Sequence, residues 1–116
     1  MRYMFYGASS FDQPLNEWNT GQVVTMRYMF YGASSFNQPL NDWNTGRVVT
    51  MIYMFYGASS FNQPLNDWNT GQVVSTGFQY MFRWDAAWHK TFELIDDTGA
   101  TPSDDGPPSL WQPKVQ

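Results

Sequence analysis

Cysteine is absent from the chain. No disulfide can staple the fold, and no thiolate can ligate zinc. Histidine occurs once, at His89. A single imidazole without a Cys or second His partner is weak material for a metal site or acid–base chemistry. Charge is scarce as well. Charged residues make up 14% of the 116 positions, against about a quarter in an ordinary soluble domain. The net charge is -4. A chain with six basic residues lacks the basic stripe that nucleic acids require, and it is equally unsuited to anionic membrane surfaces. No run of about 18 apolar residues exists, so no transmembrane helix is expected. The opening Met1-Arg2-Tyr3-Met4-Phe5 runs into polar sequence. It lacks the apolar core of a signal peptide, and no anchor is visible.

What the chain does have is repetition. Met1, Met26 and Met51 begin three copies of a 25-residue unit, and neighbouring copies agree at 22 of 25 positions. The second copy reads MRYMFYGASSFNQPLNDWNTGRVVT. A fourth copy begins and decays: two extra residues delay Tyr80-Met81-Phe82, and Trp88 stands 27 residues after Phe61. This divides the chain into three tandem repeats over 1–75 and a degenerate fourth repeat or cap over 76–95. Residues 96–116 hold Pro102, Pro107, Pro108 and Pro113 among Asp, Gly and Ser, the composition of a disordered tail. Leu110 and Trp111 are the residues by which that tail would dock onto the last repeat as a partial cap.

Two elements are expected in each unit. Thr25 suits the N-cap of a short helix over Met26–Tyr31, and Gly32 suits its C-terminal residue. Met26, Met29 and Phe30 then share one face, and Tyr28 and Tyr31 the other. A helix this short needs its neighbours for stability. Pro39 excludes a helix further on, so Phe36 to Trp43 reads as a brief strand around Leu40. Asn44-Thr45-Gly46 gives a turn before Val48-Val49. Parallel stacking would place Phe11, Phe36 and Phe61 in one column and Leu15, Leu40 and Leu65 in another, about 4.8 Å per step.

The run MFYGASSFNQPLNDWNTGQVVTM resembles the roughly 25-residue repeat of BspA-like surface proteins, a variant of the leucine-rich repeats. The resemblance is close over residues 1–75 and loose over 76–92. It implies an α/β repeat solenoid of leucine-rich-repeat-like coils, each with a short strand and a short helix. It also implies display at a cell surface or secretion, with adhesion and host-protein binding. The chain begins inside a repeat, without the Thr that precedes the later copies. The expectation is therefore a piece of a larger protein or a start within a repeat array.

Few residues offer chemistry. Glu17, Asp42 and Asp67 would stack as a like-charged column beside Asn16, Asn41 and Asn66, which costs energy unless water or a cation intervenes. The calcium-binding loop of β-solenoids is missing, so a solvated edge is the preferred reading and no metal or cofactor is expected. Gly7, Gly32 and Gly57 are isolated, so no phosphate-cradling loop forms. Ser9-Ser10 and its copies have no base beside them. His89 reads as an ordinary surface residue.

The candidate binding residues are aromatic and amide. Trp18, Trp43 and Trp68 would point outward from a flat strand, beside Asn16, Asn41 and Asn66, and such a ladder suits sugar rings. Against this, large aromatics usually bury most of their surface. A turn at Asn41-Asp42 would tuck Trp43 into the core, and that reading is preferred. Tyr6, Tyr31 and Tyr56, with Tyr3, Tyr28 and Tyr53, form a second set suited to an interface. The leading expectation is a non-enzymatic interaction module that binds protein at a cell surface. Glycan binding through the Trp and Asn ladder is one alternative. A structural spacer that associates end to end with its copies is another. An enzyme is the least expected class, because a regular ladder offers no cleft of converging titratable groups.

Overall fold

Tyr28 and its copies decide the local backbone. Tyr3, Tyr28, Tyr53 and Tyr80 all sit at positive φ, between 54° and 64°. A left-handed residue cannot continue a right-handed helix. The computed structural model describes residues 3–74, 76–94, 108 and 111–113. Within it, the helix expected over Met26–Tyr31 is replaced by a chain of tight turns. Met29 N donates to Met26 O, Tyr31 N to Tyr28 O and Ala33 N to Phe30 O, at 3.3, 3.3 and 3.0 Å.

The skipped amides leave their own copy. Tyr28, Phe30 and Gly32 donate to Ile52, Met54 and Tyr56 of the next copy, at 3.1, 2.8 and 2.7 Å. The first copy repeats this with Phe5 to Met29 and Gly7 to Tyr31. Each amide thus reaches the carbonyl one residue before its own equivalent, which holds the copies in parallel register. This is the physical reason the helix is not formed. A single short helix would leave most of its terminal amides and carbonyls unpaired. Alternating turns and inter-copy bonds pair them. Gly32 sits at φ +70°, a conformation that costs glycine nothing.

The strand expected around Leu40 is also missing. Among the described residues, the three copies hold one isolated parallel bridge, Thr25 with Thr50. Leu40 instead opens a turn that Trp43 N closes on Leu40 O at 3.0 Å. The packing is columnar. Phe11, Phe36 and Phe61 stack at 5.8 and 5.9 Å, and Trp88 continues the column at 6.0 Å. Phe5, Phe30, Phe55 and Phe82 form a second column at 5.3 to 5.7 Å. The two columns interlock at 3.9 to 4.4 Å. Phe30, Phe36, Phe55 and Phe61 are fully buried together with Met26, Met29, Met51, Met54, Leu40 and Leu65. Each such side chain is worth roughly 1.5–3 kcal/mol of transfer free energy.

The fourth unit absorbs its two extra residues before Gly77. Met51 N donates to Gly77 O at 2.7 Å, and Tyr53, Phe55 and Gly57 then donate to Gln79, Met81 and Arg83. The spacing has lengthened, but the bonding pattern survives. Asp85 caps a six-residue helix, α1 (Ala86–Thr91), by accepting from Trp88 N. The chain continues into strand β1 (Phe92–Leu94), which pairs antiparallel with β2 (Trp111–Pro113). Within the tail expected to be disordered, Trp111–Pro113 forms this strand. Trp111 is buried, and it meets Phe82 and Trp88 edge-on at 5.6 and 5.7 Å. Burying one indole is a large apolar gain for a short segment. Leu110 and most of 96–116 lie outside the described residues.

Candidate functional site

One face of the stack is built of tyrosine. The turn geometry places Tyr3, Tyr28, Tyr53 and Tyr80 in one column, with centroids 5.0, 4.9 and 5.2 Å apart. Tyr6, Tyr31 and Tyr56 form a second column at 4.7 Å per step, with planes within 5°. Tyr3 and Tyr6 are half exposed, and the inner members are partly exposed. Burial raises the Tyr31 phenol above its usual 10, and the neighbouring phenols, Tyr56 first, push it the same way. Arginine borders the face: Arg27 lies 5.5 Å over Tyr28, and Arg83 lies 4.5 Å over Tyr80.

The tryptophans take a different role. Trp43 and Trp68 are each 3% exposed. Their indole Nε1 atoms donate to Leu15 O and Leu40 O, both at 2.8 Å. Their rings stack on each other at 6.4 Å. Trp18 alone is substantially exposed, beside a shallow depression lined by Pro14, Asn16, Glu17 and Trp18. A sugar platform across three copies is therefore not present, because the chain turns at Leu40–Trp43 and directs the indole inward.

Asn16, Asn41 and Asn66 are equally occupied with structure where the next copy exists. Asn16 Nδ2 donates to Asp42 Oδ2 at 2.8 Å, while Asp42 N donates back to Asn16 Oδ1 at 3.2 Å. Asn41 and Asp67 repeat this at 3.1 and 3.0 Å. Of the carboxylates expected as a like-charged column, Asp42 and Asp67 each accept from the asparagine of the copy before. Asp12 and Asn37 carry a parallel arrangement: Asn37 N and Gln38 Nε2 both donate to Asp12 Oδ1, at 2.9 and 3.0 Å. Among the described residues, no three His, Asp or Glu side chains gather where they could hold a metal ion.

His89 is partly buried rather than a free surface residue. Its Nε2 donates to Phe82 O at 2.9 Å, and its ring meets Trp111 edge-on at 5.5 Å. It holds the fourth unit together. Two residues escaped notice in the sequence. Asp85 is fully buried, and burial pushes its carboxyl up to about 9 despite the opposing hydrogen bond from Trp88 N. Asp directly before Ala-Ala-Trp was an N-cap signal. Trp84 occupies a left-handed position at φ 63° and is 69% exposed. Its equivalents in the copies are glycines.

A family model described as a Mycoplasma protein of unknown function, DUF285, matches residues 1–93. The chain belongs to the DUF285 family. That match spans all three copies and the fourth unit into β1, so the stacked tyrosines, Trp43, Trp68 and the Asn–Asp pairs all lie within the DUF285 region. No curated protein and no solved structure matches the chain. No helix among the described residues is long and apolar enough to cross a membrane.

Proposed function

We propose that this DUF285 chain is a repeat solenoid acting as a non-enzymatic interaction module, and that it docks another protein on its tyrosine face. The carrying observation is the division of labour between the aromatic sets. Trp43 and Trp68 are buried and hydrogen-bonded, while Tyr28, Tyr31, Tyr53 and Tyr56 line the surface in two columns. Tyrosine at a surface offers a large contact area and a polar tip, and it is enriched with arginine at interfaces. The columns also hold their rings in place before any partner arrives, so little side-chain entropy is lost on docking.

The resemblance to BspA-like repeats supports a reading of the module at a cell surface, binding host or matrix proteins. The parallel bonds between equivalent residues and the ring columns support a leucine-rich-repeat-like solenoid in which each copy forms one coil. The regular face suits contact over an extended area.

The test is binding of the purified chain to immobilised extracellular-matrix proteins and to cultured cells, beside a Tyr31→Ala/Tyr56→Ala variant whose fold is checked by circular dichroism. Binding by the parent chain and its loss in the variant are expected. Equal binding by both, or none by either, would remove the tyrosine face as the docking surface.

A further inference from the structure

The tyrosine face offers ring edges and hydroxyls rather than ring faces. Tyr31 is covered on both sides by Tyr6 and Tyr56 at 4.7 Å with 5° between planes. Tyr28 is covered the same way by Tyr3 and Tyr53, at 5.0 and 4.9 Å. A sugar stacks on an open aromatic face, and the middle of this surface has none. The phenol hydroxyls are another matter. Those of Tyr28, Tyr31, Tyr53 and Tyr56 make no hydrogen bond to any described residue. The rings of the two columns incline at 45° to 48° to one another, with centroids 5.4 to 6.2 Å apart. The stack therefore presents two adjacent rows of tyrosine edges that run along it.

We propose that this double row of tyrosines binds a proline-rich peptide in the polyproline-II conformation; this rests on the reading of the tyrosine face as a docking surface. The argument is one of repeat lengths. Polyproline II has three residues per turn and rises about 3.1 Å per residue, so it repeats every ~9.3 Å. Two steps of the Tyr6–Tyr31–Tyr56 column, each 4.7 Å, cover nearly the same distance. A proline and the proline three residues later therefore meet equivalent sites two copies apart. An extended β-strand repeats every two residues, about 6.7 Å, and an α-helix every ~5.4 Å. Neither keeps step with the column.

Hydrogen bonding favours the same ligand. A polyproline-II peptide makes no internal hydrogen bonds, and its carbonyls project into solvent. The unpaired phenols supply donors along the two rows, and a proline-rich strand loses little conformational freedom on binding. The Tyr3–Tyr28–Tyr53–Tyr80 column has three steps of 4.9 to 5.2 Å. It is long enough for about five polyproline residues.

The experiment is a fluorescence-anisotropy titration of fluorescein-labelled decaproline with the full 116-residue chain, with a Gly-Ser decapeptide as control. Saturable binding of decaproline alone is expected. Tyr31→Phe/Tyr56→Phe keeps both rings in the stack and removes two donors. It should weaken binding roughly tenfold with an unchanged circular dichroism spectrum. Unchanged anisotropy with the folded chain, equal binding of the Gly-Ser peptide, or undiminished binding by the double Phe variant would each overturn the proposal. If the alanine variant at the same positions loses a partner protein while decaproline stays unbound, the ligand class is wrong and the docking face stands.

Discussion

Trp68 donates its indole Nε1–H to the carbonyl oxygen of Leu40, 2.8 Å away and one copy earlier. Trp43 does the same to Leu15. Leu40 O also accepts from Trp43 N at 3.0 Å, so one side chain fills the core and adds a second hydrogen bond to the carbonyl that closes the preceding copy's turn. Trp68→Phe preserves an aromatic ring but removes the bond between the copies, while that carbonyl keeps Trp43 N. The expected loss is about 0.5–1.5 kcal/mol for the hydrogen bond, with a further term for the volume removed. Thermal unfolding followed at 222 nm measures it. A melting temperature within a degree of the parent would mean that water replaces the indole at no cost.

This bond also marks where sequence reasoning stopped. The 25-residue period pointed to columns of Phe11, Phe36 and Phe61, and the structure stacks those rings. The 27-residue step to Trp88 likewise appears as the next ring in the column. A period says which residues are equivalent; it does not say how the chain runs between them. Met26–Tyr31 has helical spacing of its apolar residues, yet Tyr28 adopts φ 60° because its amide bonds to Ile52. That choice is made by a neighbouring copy, and local propensity cannot register it. The outward Trp ladder depended on a flat strand, which the turn at Leu40–Trp43 replaces. Trp111 was named as a docking residue from composition, but nothing local indicated that it would pair as a strand with Phe92–Leu94.

Gly77 is a point of close approach. A Cβ placed there would meet Val73 Cγ1 at 2.5 Å, Val74 O at 3.0 Å and Val49 O at 3.1 Å. Two of the three are backbone oxygens, and Val49 O already accepts from Val74 N. They cannot yield without disturbing the bond between the second and third copies and the turn in which Gly77 N donates to Val74 O at 2.8 Å. Gly77→Ala should therefore destabilise by roughly 1–3 kcal/mol. Gly21→Ala meets only side-chain atoms at 3.4 Å and serves as the control, with a change below about 0.5 kcal/mol. Denaturant midpoints compare the two. Equal effects would show that the insertion before Gly77 relaxes freely.

Trp84 is the reverse case. The copies place Gly7, Gly32 and Gly57 at φ +70°. Trp84 holds the corresponding backbone at φ 63° with 69% of its surface exposed. Its side chain bears the left-handed penalty, of order 1 kcal/mol, and recovers little of it through packing. Trp84→Gly should raise stability by about 0.5–1 kcal/mol after allowing for the looser unfolded chain, a shift of a few degrees in melting temperature. A fall in melting temperature would show that the exposed indole covers something its fractional exposure hides.

Asp85 links stability to pH. Its Oδ1 accepts from Trp88 N at 3.1 Å, and its buried Oδ2 has no hydrogen-bond partner among the described residues. Burial lifts its carboxyl from 3.8 to about 9 in the folded chain. Between those values the folded state holds a proton that the unfolded state has released, so stability falls as pH rises. Its contribution is whole below about pH 4, declines through neutrality and is lost by about pH 9. Asp85→Asn keeps the acceptor that caps α1 and carries no titrating proton. The variant should match the parent near pH 4 and exceed it by about 1–3 kcal/mol at pH 8. Urea unfolding of both chains from pH 4 to 9 gives the difference directly, and the other titrating groups, common to both, cancel. If the gap between the two curves stays constant with pH, or if the variant is the less stable at pH 8, Asp85 is ionised in the fold and its charge is being held by a partner.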